Sequence, residues 1–328
     1  MSKKKTFESI PLREQIKPIF KERFTQMLGK KEYDKFVDTI LKPQRKSFRI
    51  NEIKSVDVKK TITEIKKKGI ILSPVLWCKN AFFAEYNENT RTDLGNLYEH
   101  FLGQIYVQEA TSMCPVEAMN FPNSIPHSFK VLDMAAAPGS KTTQIGEKLN
   151  NKGTLIANEL SYKRISALKI NLERSGLTNV LITINDARKI EGEEEFDRII
   201  LDAPCSGSGV IRKSPNTIKR YNPKQLKSMQ KLQLQLLTRA FKLLKKGGEM
   251  TYSTCSLDPE EDELCIMKFL ESQNNAKLET IKLKGLVLNN KLKEFSGIKI
   301  PKEIQEKTIR IWPQDNDTNG FFLCKITK

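Results

Sequence analysis

From Phe129 onward the chain alternates between two periods. Short apolar runs that end at polar residues are separated by longer stretches in which apolar residues recur every three or four positions. The runs Val131–Met134, Thr154–Asn158, Val180–Ile184, Arg198–Leu201 and Glu249–Ser253 are predicted as buried strands. Gly139–Leu149, Tyr162–Ser175, Gln225–Leu244 and Pro259–Leu270 are predicted as the helices between them. Tyr162–Ser175 carries Ile165, Leu168 and Leu172 inward and stops at Gly176, a common helix terminator. Such alternation predicts an α/β fold, a parallel sheet with helices on both faces. The tail differs. Thr308–Trp312 and Gly320–Ile326 read as two strands around the polar turn QDNDTN, an antiparallel hairpin expected at the edge of a mixed sheet.

The N-terminal part has its own pattern. Residues 1–45 are predicted helical, with Ile16, Ile19, Phe20 and Phe24, then Phe36, Val37, Ile40 and Leu41, on an apolar side; Pro43 ends it. Ser47–Asn51, Ile70–Trp77 and Ala81–Tyr86 read as strands and Val58–Lys68 as a lysine-rich helix closed by Gly69. Arg91–Leu97 reads as a polar connector, Gly103–Met119 as a helix broken near Pro115, and Pro122–Pro126 as a loop. The expected organisation is a small α/β, RRM-like module over residues 1–98 followed by a larger sheet domain over 99–328.

Charge adds a partner to this picture. Lys and Arg number 56 against 39 Asp and Glu, a net charge of +17. Such an excess points to a polyanion, and RNA contact by Lys42, Arg45, Lys46 and Arg49 competes with a solvated lysine-rich face. No apolar run approaches a membrane span, and the start MSKKKTFESIP lacks a signal-peptide core, so a cytoplasmic protein without membrane contact is expected; a monomer is expected as well. The six cysteines form no CxxC pair and the only histidines are His100 and His127, which argues against disulfide or zinc scaffolding; no metal is expected.

The chemistry collects at strand ends. Asp133, Glu159, Asp186 and Asp202 each end or follow one of four consecutive predicted strands. In a doubly wound sheet such positions share one rim, where ligands bind. After the first strand, Asp133-Met134-Ala135-Ala136-Ala137-Pro138-Gly139-Ser140-Lys141-Thr142 lets backbone approach a ligand and then opens a helix. Ser140 and Ala135 stand where a P-loop needs glycines, and no GxGxxG occurs, so neither a nucleotide-triphosphate nor a nicotinamide site is indicated. Glu159 is placed to accept ribose hydroxyls and Asp186 to accept from an adenine amine, which suits a nucleoside ligand. Two thiols join them: Cys205 in LDAPCSGSG, and Cys255 before a helix expected near Asp258-Pro259. A helix N-terminus there would favour a thiolate, whereas Glu260, Glu261 and Asp262 would oppose it.

DMAAAPGSKT, DAPCSGSG, YSTCSLDPEEDE and WPQDNDTNGFF together resemble the Nol/Nop/Sun (RsmB-like) family of RNA cytosine-5 methyltransferases, over most of the chain from about Phe48. The family often has cysteine where Ala135 stands. With no added PUA- or NusB-type domain, the chain looks like a minimal member, similar to archaeal tRNA methyltransferases. The resemblance implies a Rossmann-like methyltransferase domain with a mixed seven-stranded sheet. It implies S-adenosyl-L-methionine held by Ala136, Ala137, Pro138, Gly139, Ser140, Lys141, Thr142, Glu159, Arg164, Asp186 and Asp202. Cys255 matches the nucleophile, Cys205 the cysteine that helps release product, and Lys141 and Asp202 face the cytosine. Addition of the Cys255 thiolate to carbon 6 would activate carbon 5, and the base must be unstacked to react. Arg212, Lys213, Lys219 and Arg220 would hold phosphates. The expected substrate is tRNA, with ribosomal RNA as the alternative. A non-catalytic RNA-binding factor and a nitrogen methyltransferase, which needs no thiol, are the rivals.

Overall fold

A computed structural model describes residues 12–86, 93–289 and 291–328. The start MSKKKTFESIP and the first two residues of the connector expected at Arg91–Leu97 lie outside these.

Two sheets carry the molecule. The smaller contains β1 (Lys46–Ile50), β2 (Ile70–Pro74), β3 (Ala81–Tyr86) and β4 (Ile105–Val107), all antiparallel, in the order β2-β3-β1-β4. The helix Val58–Lys67 crosses from β1 to β2; Asp57 caps it by accepting from the Lys60 amide, and Ile65 is buried beneath it.

The larger sheet contains β5 (Lys130–Asp133), β6 (Thr154–Asn158), β7 (Val180–Thr183), β8 (Phe196–Asp202), β9 (Leu244–Thr254) and β10 (Lys277–Glu279). A separate two-stranded hairpin, β11 (Glu294–Phe295) and β12 (Ile298–Lys299), precedes β13 (Ile309–Ile311) and β14 (Phe321–Thr327). The order is β10-β14-β9-β8-β5-β6-β7, with β13 also paired to β14. The five strands from β9 to β7 are parallel, and β14 runs antiparallel to β9. Side chains alternate across the sheet. Leu132, Ile199 and Leu201 pack with Leu237 and Phe241 of the helix Leu226–Leu243, while Val131 and Ile200 pack with Ile145 and Leu149 of the helix Ser140–Leu149. The two helices therefore cover opposite faces.

Four expectations change. The C-terminal hairpin is not at the edge: β14 lies between β9 and β10, because Phe321 to Ile326 are all buried and such a run needs cover on both faces. Gly103–Met119 is not one helix. Ile105–Val107 pairs with β1, and only short turns of helix follow, over Thr111–Met113 and Cys114–Glu117. The last predicted helix begins at Glu263, not Pro259, since Asp258 to Asp262 form tight turns. Finally, the division after residue 98 cuts through the small sheet, which includes β4, and places the N-terminal helices wrongly. Pro18–Leu28 and Lys30–Ile40 pack Phe20, Phe24 and Phe36 on Tyr221, Leu257 and Trp312 of the larger domain. Their apolar stripe announced burial but not the partner. Among the described residues no helix is long and apolar enough to cross a membrane.

Candidate active site

The rim carboxylates are in place, each in a different setting. Asp133 ends β5 and is buried; its Oδ2 accepts from Thr142 Oγ1 at 2.7 Å, and burial pushes its carboxyl up to about 6. Glu159 follows β6. It accepts from the Ala137 amide at 3.2 Å and the Ser161 amide at 2.9 Å, and pairs with Arg164 Nη1 at 3.2 Å. Arg164 also donates to the Ala137 carbonyl, so loop and acid are tied together. Asp186 follows β7 and caps the turn Ala187–Lys189. The forked hydrogen bonds of the Arg188 guanidinium hold its carboxyl down at about 2.

Between β5 and its helix, Ala136, Ala137 and Pro138 form the loop and Gly139 turns it. Gly139 has φ +106°, and a Cβ there would meet Leu168 Cδ1 at 3.1 Å. The conformation strains any side chain there, and Leu168 would also have to give way. No side chain caps the helix Ser140–Leu149, so the amides of its first turn have no partner supplied from the cap.

Asp202 ends β8 opposite Ser253 of β9. Its Oδ2 accepts from Lys141 Nζ at 2.7 Å and its Oδ1 from Ser253 Oγ at 2.7 Å. Lys141, nearly buried, donates a second bond to Ser112 Oγ at 2.9 Å. The two thiols follow on the same two strands. Cys205 Sγ and Cys255 Sγ are 3.1 Å apart, both partly buried. The hydrogen bond to Cys255, reinforced by burial, pushes the Cys205 thiol well above its ordinary range, so Cys205 keeps its proton.

The loop carrying Cys205 is locked to β9. Gly209 donates to the Cys255 carbonyl at 2.9 Å, and its own carbonyl accepts from the Gly320 amide at 2.9 Å. A Cβ on Gly209 would meet Gly320 O at 2.4 Å. The acids after Cys255 are struts. Glu261 accepts from the Ser206 amide at 2.9 Å and from Gln233 Nε2 at 3.1 Å; Asp262 accepts from Thr254 Oγ1 at 2.6 Å; Glu263 pairs with buried Arg310. Asp258 accepts from Tyr221 at 2.6 Å and Arg23 at 3.0 Å. The helix after Cys255 therefore starts at Glu263 and not near Asp258-Pro259, because these side chains hold Asp258 to Asp262 in turns.

Of the basic residues assigned to phosphate, two are internal and a third, Arg45, is half-buried with partners within the fold. Arg49 is buried, pairs with Glu147 and donates to Gln108 Oε1 at 2.7 Å and Thr143 Oγ1 at 2.6 Å, fastening β1 to the helix Ser140–Leu149. Arg212 is buried against the carbonyls of Pro43 at 2.7 Å and Thr318 at 3.1 Å. Arg45 stacks on Phe83 and pairs with Glu85 at 3.0 Å. Lys46, Lys213, Lys219 and Arg220 are exposed. Ser112 and Ser253 are the site residues that sequence reasoning missed. Ser253 had a signal, two places before Cys255 on the same strand. Ser112 had none, since it arrives from the turn Thr111–Met113.

A mixed sheet in this order, with an antiparallel strand inserted beside β9 and acids closing its parallel strands, defines a Rossmann-like methyltransferase. Residues 124–327 match the family described as 16S rRNA methyltransferase RsmB/F, and residues 16–110 match the N-terminal domain of 16S rRNA methyltransferase RsmF. The chain belongs to the RsmB/F methyltransferase family. Ribosomal RNA small subunit methyltransferase F of Shewanella loihica is 38% identical over 300 residues, covering 90% of this chain and 59% of that protein. The same-named Escherichia coli protein is 37% identical over 300 residues, covering 90% and 60%. The chain thus spans about three fifths of the length of these relatives. The crystal structure of a methyltransferase homolog protein from Pyrococcus horikoshii superposes with TM-score 0.81 at 32% identity over 97% of both chains. NSun6 from the same organism, crystallised with SFG, has TM-score 0.79 at 23% identity over 96% and 99%, a likeness of fold.

Proposed function

We propose that this chain methylates carbon 5 of a cytosine in small-subunit ribosomal RNA. The observation that carries the reading is the pair of thiols 3.1 Å apart beside the Lys141–Asp202 pair, at the ends of adjacent strands. A nitrogen methyltransferase has no use for such a pair. The names of the curated relatives favour ribosomal RNA, so the expectation of tRNA gives way to its alternative.

The rim suits S-adenosyl-L-methionine. Small residues at Ala136, Ala137 and Gly139, and an uncapped helix start at Ser140, Lys141 and Thr142, would take its carboxylate end. Glu159, steadied by Arg164, would take ribose hydroxyls, and Asp186 the adenine amine. Asp202 would stand between cofactor and base. The cofactor supplies an electrophilic methyl group.

The chain's own residues do the rest. Cys255 sulfur bonds to carbon 6, and electron density moves through the ring to make carbon 5 nucleophilic. Negative charge builds at N3 and O2. An ammonium has three donors, and Lys141 commits two to Asp202 and Ser112, so one remains for that charge. Asp202, fixed by Ser253, sets where the ammonium sits. Once carbon 5 carries both methyl and proton, the proton leaves to a base, the carbon–sulfur bond breaks and the ring recovers its electron pair. Cys205, still protonated, donates to the departing sulfur. The target nucleotide must be unstacked to reach the thiols. Lys46 and Lys213 line a groove of about 390 Å³ beside Gln108 and Glu109 and would hold its flanking phosphates.

The test is transfer of labelled methyl from S-adenosyl-L-methionine to small-subunit rRNA, with bisulfite sequencing of the product. One protected cytosine in that RNA is expected. Label confined to tRNA, or a product that bisulfite still converts, would overturn the reading.

A further inference from the structure

The helix Leu226–Leu243 buries Leu236, Leu237 and Ala240 against the sheet and turns its other side outward. With the turn after β7 and the helix Glu263–Ser272 it walls an open groove of about 980 Å³. Seven of the side chains lining the groove are cationic and none is acidic. Three of these have partners within the fold. Arg188 is forked onto Asp186, Arg239 donates to the carbonyls of Ile190 and Gly192, and Lys268 donates to Gln230. The other four, Lys189, Lys227, Lys231 and Lys242, are exposed and have no hydrogen-bond or ion-pair partner among the described residues.

Their arrangement is linear. Lys227, Lys231 and Lys242 lie along one side of a single helix over roughly 22 Å, at about 1.5 Å per residue. A row of that length is too long for one phosphate or a nucleotide and suits a chain of phosphates. The groove also has a definite place. It reaches Arg188, the partner of Asp186 on the rim, and it lies on the sheet face opposite the helix Ser140–Leu149, to which Arg49 fastens the small N-terminal sheet. A ligand that reaches both faces across that end of the sheet passes the rim that carries the thiols. A large folded nucleic acid can do this, and its phosphates would supply the partners that the four lysines lack within the fold.

We propose that this groove binds the backbone of the substrate RNA, as a second attachment remote from the target nucleotide and on the opposite sheet face from the N-terminal sheet. It rests on the RNA-methyltransferase reading for the identity of that RNA.

The test compares the full chain with the variant K227E/K231E/K242E, none of whose positions touches the thiols or the cofactor rim. Filter binding to protein-free 16S rRNA is measured from 50 to 300 mM KCl, with the thermal midpoint as control for folding. The variant is expected to bind about 10- to 100-fold more weakly at 100 mM KCl, with the slope of log Kd against log salt reduced by about 2 and the midpoint unchanged. The milder variant K227A/K231A/K242A should show the same reduction in slope with a smaller loss of affinity, and it decides the matter if the glutamates disturb folding. Unchanged affinity and slope in both variants would overturn the proposal. So would normal binding to naked rRNA with lost binding to intact small ribosomal subunits, which would make the occupant a protein. No turnover is needed, so a failed methyltransferase reading is seen separately, as normal RNA binding without label transfer.

Discussion

The two halves of the rim use carboxylates in opposite ways. On the β5–β7 side, Glu159 and Asp186 are held by backbone amides and by arginines that reach solvent; the side chains of Arg164 and Arg188 are 53% and 43% exposed. On the β8–β9 side, Asp258, Asp262 and Glu263 are sealed in: Asp262 and Glu263 share Arg310, whose side chain is 3% exposed, and Asp258 pairs with Arg23. In the first group the arginines can give way to a ligand at small cost, because water already competes for them, although Glu159 itself is buried. The second cannot, because a buried charge without its partner is heavily penalised. One half is suited to binding and release. The other holds two sulfur atoms 3.1 Å apart, which is what the proposed covalent step requires.

This contrast can be broken by substitution. The largest effect is expected at the thiols. Cys255→Ala should lower methyl transfer by at least about 10³-fold while the thermal midpoint holds. Cys205→Ala should instead trap a protein–RNA adduct that survives denaturing electrophoresis; a variant that turns over without adduct would remove Cys205 from product release. Next comes the strut. Arg310→Met leaves Asp262 and Glu263 buried and unpaired and should cost about 3–5 kcal/mol in urea unfolding. Arg188→Met, made on the other half, should leave the urea midpoint in place. Equal losses at both arginines would erase the distinction between the halves.

Asp133 tests the boundary between them. Its carboxyl lies at about 6 against an ordinary 3.8. Between about pH 4 and 6 the folded chain therefore keeps a proton that the unfolded chain has released, and stability falls as pH rises through that window. Relative to Asp133→Asn, the wild type should lose roughly 1.4 kcal/mol per pH unit there and change little above pH 6. Urea titrations of both proteins at pH 4.5, 5.5 and 7 would show it, and parallel curves would mean that Asp133 is not the titrating group. The smallest effect is expected at Asp186→Asn. It should weaken S-adenosyl-L-methionine binding about tenfold by calorimetry without moving the thermal midpoint.

Much of the catalytic half was legible because its signals are local. Apolar runs ended at Asp133 and Asp202, and DAPC and STC put both thiols just past strand ends, where a parallel sheet brings neighbouring ends together. The N-terminal half was less legible. Ile105–Val107 is too short to show a period and becomes a strand only by pairing with β1. Arg49 and Arg212 look like any surface cations in a chain of net charge +17, and the sequence does not show that Glu147 or the carbonyls of Pro43 and Thr318 await them. The same limit applied to the acids after Cys255. As letters, DPEEDE is a charged helix start; in space, each acid but Glu260 is buried and accepts from a side chain or amide of another element.

The sequence by itself determined the alternating α/β core, the four acids at strand ends and the pairing of two cysteines with adjacent strands. Each of these follows from periodicity and from the rule that parallel strands present one common edge. The tertiary structure decided the placement of β14 inside the sheet, the seating of the N-terminal helices on Tyr221 and Trp312, and which charges face solvent. It also set the 3.1 Å between the sulfurs. Those outcomes depend on partners far away in the chain, and burial energies of such contacts leave no periodic trace in the residues that make them.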